Sequence, residues 1–78
     1  MSQGSRDLIP MTLLAPGQTA RIAAVLGAAE QTQRLRELGL RDGAEVEMVR
    51  PGSPCIIRLG GQKLGLRSEE IARVLVRP

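Results

Sequence analysis

Phenylalanine, tyrosine, tryptophan and histidine are all missing from this 78-residue sequence. Without aromatics, the core must be built from leucine, isoleucine, valine and methionine, which at this length yields about 3–5 kcal/mol of net stability. The same absence removes the rings on which single-stranded nucleic acids stack, and the aromatic-lined groove that receives proline-rich peptides. Without histidine, the commonest general base and the usual partner of a serine or cysteine nucleophile are gone. Cysteine occurs once, at Cys55, so no disulfide braces the chain and no closed Cys/His zinc site can form. A lone cysteine fits a reducing compartment. No apolar run approaches the roughly eighteen residues that span a bilayer, and the opening MSQGSRDLIP lacks the apolar stretch of a signal peptide. A single soluble, cytoplasmic, non-enzymatic domain is the expectation.

What is present is mostly turn chemistry and short periodic runs. Residues 1–10 are polar and aperiodic and read as a flexible arm, leaving residues 11–78 as the folded domain. Pro16-Gly17 signals a turn after residues 11–15. Residues 19–26 read as a first strand with Ala20, Ile22 and Ala24 on one face, although Ala23 and Val25 blur the alternation. Gly27 closes it, and residues 28–38 are rich in helix formers, with Leu35 and Leu38 three apart on the face expected to pack. Gly39 stands where a helix C-cap needs positive φ, and Leu40 is placed to fold back on the last turn. Arg41-Asp42-Gly43 is a turn, and residues 44–48 alternate apolar and charged as a strand does.

Pro51-Gly52-Ser53-Pro54 is the densest turn signal in the chain. Residues 55–59 form a third strand, Gly60-Gly61 a two-residue hairpin and residues 62–66 a fourth strand. Ser68-Glu69-Glu70 reads as a hydroxyl N-cap followed by acids at a helix N-terminus. A last strand over residues 73–76 has Val74 and Val76 on one face. About five short strands, one short helix after the first and a helical turn before the last predict a mainly β fold, a small barrel.

The candidate chemical groups each have a plainer reading. Asp42, Glu45 and Glu47 offer carboxylates, but Glu45 and Glu47 fall on the solvent face of an alternating strand. Cys55 with Met48 offers two soft sulfur ligands, but Cys55 opens a β run directly after a turn, where a small buried thiol is expected. Lys63 lies beside the glycine hairpin with no serine at a useful spacing. The glycines at 60, 61 and 65 match no phosphate-binding loop. The net charge is +3, and arginine supplies ten of the eleven basic residues. Arg34, Arg41, Arg50, Arg58 and Arg67 would suit a phosphate-tracking patch, yet charges alternate in sign along the chain, as on an ordinary solvated surface. A docking module needs an exposed anchor, and with no aromatic available the Arg50-to-Pro54 loop is the best candidate: Arg50, Pro51 and Pro54, extended by Arg34 and Arg41 at the helix end.

The ordered motifs carry a family likeness. Leu13-x-x-Pro16-Gly17, Ala20-Arg21-Ile22, Arg34-Leu35-x-Glu37-Leu38-Gly39-Leu40-x-x-Gly43, Gly52-x-Pro54, residues 57–60, and Leu66-Arg67 with Glu69, Ala72 and Val76 together resemble the FeoA-like domain of bacterial ferrous iron uptake. The resemblance covers residues 13–76 and departs from the pattern by lacking aromatics and by carrying Gly65. It implies an SH3-like barrel and an accessory or regulatory role beside a large membrane ferrous iron transporter with a cytosolic GTPase domain. At the level of the family it also implies transition metal ion binding, whereas the residues themselves offer no cofactor site and no metal-ligand set, and the expectation is no specific nucleic acid and a monomer or weak homo-oligomer. Similar domains also end iron- and manganese-dependent repressors; no helix-turn-helix precedes the barrel here, so the free-standing form is implied. The alternatives are a small basic nucleic-acid-binding barrel and a metalloregulator-type SH3-like interaction domain.

Overall fold

The computed structural model describes residues 7–78. In chain order these form β1 (Ile9–Pro10), a 3₁₀ turn (Met11–Leu13), β2 (Thr19–Val25), α1 (Ala29–Glu37), β3 (Glu45–Arg50), β4 (Cys55–Leu59), β5 (Gln62–Leu66), α2 (Ser68–Ile71) and β6 (Val74–Arg77). All strand pairs are antiparallel, in the sheet order β1-β6-β2-β3-β4-β5. No described helix is long and apolar enough to cross a membrane. The fold is the mainly β, SH3-like one expected, with six strands rather than about five. The extra strand is β1, two residues long and too short to show a period. It is also the end of the expected 1–10 arm: Ile9 pairs with Val76 and Pro10 with Leu75. Residues 1–6 of that arm lie outside the described residues.

Alternation on each strand turns one face inward, and the register sets buried residues opposite one another: Ala20 and Val46, Val46 and Leu59, Met48 and Ile57, Cys55 and Leu66, Ile22 and Val76. Such cross-strand pairs are the unit of sheet stabilisation. Met11 of the 3₁₀ turn, Leu14 after it, Leu35 of α1, Leu40, Ile71 of α2 and Val74 of β6 complete the core. No polar or charged residue is buried among the described residues.

Two β-bulges break the simple alternation. Ile22 faces Val76 and Ala24 faces Leu75, so Ala23 is the extra residue. Beyond it the faces exchange: Val25, opposite buried Val74, packs on the core, and Ala24 leaves the face it was expected to share with Ile22. The second bulge lies between Met48, opposite Ile57, and Arg50, opposite Ile56. It lets β3 run two residues past its expected end at residue 48.

α1 ends as the sequence predicts. Gly39, at φ +108°, follows the C-cap Leu38. Its N–H donates to the Arg36 carbonyl at 2.9 Å, and the Leu40 N–H to the Leu35 carbonyl at 3.0 Å. These two bonds define a Schellman motif, and Leu35 and Leu40 are both buried beneath it. Leu38 differs from the expectation. It is 41% exposed, because the helix meets the sheet through Leu35 and the chain turns away at Gly39. At α2, Ser68 is the first helical residue rather than the cap. Arg67 occupies the cap position with extended backbone and no side-chain cap bond, while its N–H donates to Glu70 Oε1 at 3.0 Å. The reciprocal half of a capping box, rather than a hydroxyl, starts this helix.

Candidate functional site

The groups that bear chemistry are dispersed. Glu47 and Arg58 face each other across β3 and β4, and Arg58 Nη1 lies 3.0 Å from Glu47 Oε1. Asp42 and Glu45 are exposed. No group of three His, Cys, Asp or Glu among the described residues is placed to hold a metal ion. Cys55 and Met48 are neighbours in the core, both fully buried, with the thiol 3.5 Å from the thioether sulfur. Burial pushes the Cys55 thiol pKa upward, because the thiolate would lose its hydration there. The side chain is a small core apolar group with a weak donor.

The expected docking residues fall in three places. Arg50, Pro51 and Pro54 are exposed together on the β3–β4 connection. The bulge carries Arg50 out of step with Met48, and the loop arches over a mainly apolar hollow of about 330 Å³ lined by Thr12, Met48, Pro51, Cys55 and Ile71. Arg34 lies elsewhere, in a groove of about 230 Å³ between α1 and α2. Its Nη1 is 3.6 Å from Glu70 Oε2. Arg67 and Arg73 line the same groove, and the Arg73 guanidinium bonds the Gln31 side chain. Arg41 lies in a third depression with Ala23, Val25, Arg36 and Asp42, its Nε directed at the Arg36 carbonyl at 3.5 Å.

Two surface features were not foreseen. Arg73, in the turn before β6, joins Arg34 of α1 and Arg67 of the α2 cap, two members of the candidate basic patch, and no local pattern announces that third arginine. The exposed Leu38 sits with Gly39, Leu59, Gly60 and Gly61 in a shallow open depression of about 840 Å³. Its signal was present in the sequence, since Leu35 and Leu38 are the only large apolar residues of the helix and Gly39 follows at once.

Among the described residues, the arrangement offers surfaces for contact rather than a pocket that gathers reactive groups. Comparison with known proteins agrees with the fold. Among curated proteins no relative matches the sequence. Among solved structures, the iron uptake regulatory protein FeoA is 27% identical, with a TM-score of 0.85 over 91% of this chain and 97% of that one. FeoA of Stenotrophomonas maltophilia, an SH3-domain protein solved in complex with zinc, is 34% identical, with a TM-score of 0.75 over 85% of this chain and 86% of that one. T. acidophilum IdeR, at 18% identity and a TM-score of 0.82, shares the fold over 90% of this chain and 33% of its own length. The model of the FeoA domain matches residues 9–78, and the chain belongs to the FeoA domain family.

Proposed function

We propose that this chain is a non-enzymatic accessory or regulatory module of ferrous iron transport. It acts in the cytoplasm by docking on the cytosolic part of a membrane iron transporter that carries a GTPase domain. Membership of the FeoA family over residues 9–78 is the observation that carries this reading. It is supported by the relative from Stenotrophomonas maltophilia, described as a candidate activating factor of bacterial ferrous iron transport. The surface is consistent with docking: exposed Leu38 and the Arg50-to-Pro54 loop offer contact area that the core does not use.

The contact is proposed to centre on Arg50, Pro51 and Pro54, with Arg34 and Arg41 as outlying positions. The test is co-purification with the transporter's cytosolic domain, with and without guanine nucleotide. Association in at least one nucleotide state is expected. Arg50→Glu should weaken it while leaving the melting temperature nearly unchanged, and Arg34→Glu and Arg41→Glu should weaken it less. No association in either state would refute the reading.

A further inference from the structure

We propose that the free edge of β5 receives an extended acidic segment of a protein partner as an added strand. The proposal rests on the reading that this chain is a docking module, and it names the surface.

β5 pairs with β4 and with no other described strand. Its register follows from the hairpin. Gly60 and Gly61 both have positive φ, 59° and 84°, as a two-residue type I′ turn requires. Leu59 and Gln62 therefore close the turn as a hydrogen-bonded pair, and bonded pairs recur at Ile57–Leu64 and Cys55–Leu66. Between them, Lys63 and Gly65 aim their N–H and C=O groups away from β4. No other described backbone group bonds to them. Four ladder groups thus stand open along one edge.

Gly65 is the telling residue. Its backbone is outside the left-handed region, and a Cβ placed on it would lie 3.6 Å from Ile56 Cδ1 and 3.9 Å from Pro54 Cβ, ordinary contact distances. Neither conformation nor crowding demands glycine. Its effect is to leave a slot on the outer face, walled by half-buried Ile56 and by Pro54 of the β3–β4 loop. A side chain on an incoming strand opposite Gly65 would fill that slot, as aromatic residues cover edge glycines elsewhere. The edge is thereby continuous with the loop already proposed as a contact.

Charge selects the occupant. Lys63 is exposed, lies on the same outer face as Gly65 and has no ion-pair partner among the described residues. Its neighbour across the hairpin, Arg58, already holds Glu47. A second copy of this chain would add like charge to like, each copy carrying +3. A lysine alone is a common guard against edge pairing. A bare glycine beside it does the opposite.

The probe is the capped peptide Thr-Glu-Val-Phe-Val-Glu-Thr, which presents Phe to Gly65 and Glu to Lys63 in either direction. Amide exchange and chemical shifts of the full chain are followed by NMR. In the free protein, the Lys63 and Gly65 amides should exchange at least about tenfold faster than those of Leu64 and Leu66, and the peptide should protect them. A peptide with Lys in place of both Glu residues should protect them far less. Lys63→Glu should reverse that preference, and Gly65→Pro, which removes an outward N–H and fills the slot, should abolish protection of the Lys63 amide. Protection already present in the free protein, protection that rises with protein concentration alone, shifts mapping elsewhere, or equal binding of both peptides would each overturn the proposal. The transporter assay separates the two readings. Peptide protection without transporter binding upholds the edge and refutes the partner; transporter binding unaffected by Gly65→Pro and Lys63→Glu upholds the partner and refutes the edge.

Discussion

Gly39 carries two constraints at one position. Its φ of +108° disfavours any side chain, and a Cβ there would stand 3.0 Å from Leu59 Cδ2. The first was legible as a glycine ending an apolar helical pattern. The second was not, because Leu59 is remote in sequence. Gly39→Ala should cost about 1 kcal/mol or more, lowering the melting temperature by several degrees in a domain of this size. A thermal melt matching the parent protein would show that the Schellman turn can be replaced. Cys55 makes a second residue-level prediction. Buried beside Met48, its thiol should resist aromatic disulfide reagents in the native protein and react at once in denaturant. Its folded-state pKa is raised, so the native chain keeps a proton that the unfolded chain releases. Stability is therefore unaffected below the unfolded value and falls as pH rises above about 8.5. Cys55→Ser should flatten that fall in a series of melts against pH, whatever its own cost in stability.

At the scale of elements, α1 separates two leucines that the sequence sets alike. Leu35 is 2% exposed and Leu38 is 41% exposed. Leu35→Ala should cost about 2–5 kcal/mol, enough to unfold much of a marginal domain, whereas Leu38→Ala should stay within about 0.5 kcal/mol. Urea titration of both variants decides it, and equal effects would place both side chains in the core. β4 and β5 have the bounds expected for them, because the Gly60-Gly61 hairpin fixes register and both flanking runs are clean. The bulges at Ala23 and Val49 were illegible for a physical reason. A bulge is a relation between two strands, and one strand's sequence shows only a lapse in alternation. The blurred run around Ala23 was that lapse, and its consequence, the inward turn of Val25, needed β6 to be seen.

Over the whole molecule, the fold class followed from turn spacing and alternation, but the candidate surface did not. Arg34 and Arg41 are close in sequence and lie in separate depressions, with Arg50 in neither, while Arg34, Arg67 and Arg73 are distant and share one. Surface assembly depends on tertiary approach, which no local period encodes. A net charge of +3 spread in this way should give only non-specific nucleic-acid binding, lost steeply as salt rises. Fluorescence anisotropy with duplex and single-stranded probes checks this, and submicromolar, sequence-selective binding at physiological salt would instead support the nucleic-acid alternative. The strand order also governs how the domain comes into being. β6 is made after every other strand, yet it lies inside the sheet, between β1 and β2. Until the ribosome has released residues 74–77, β1 has no neighbour, β2 shows a bare edge, and Ile9 and Ile22 lack the Val76 that each faces. The β2-β3-β4-β5 meander can pair as it emerges, but the sheet closes around β6 only once residues 74–77 are clear of the exit tunnel, and until then the edge of β2 is open to wrong pairing.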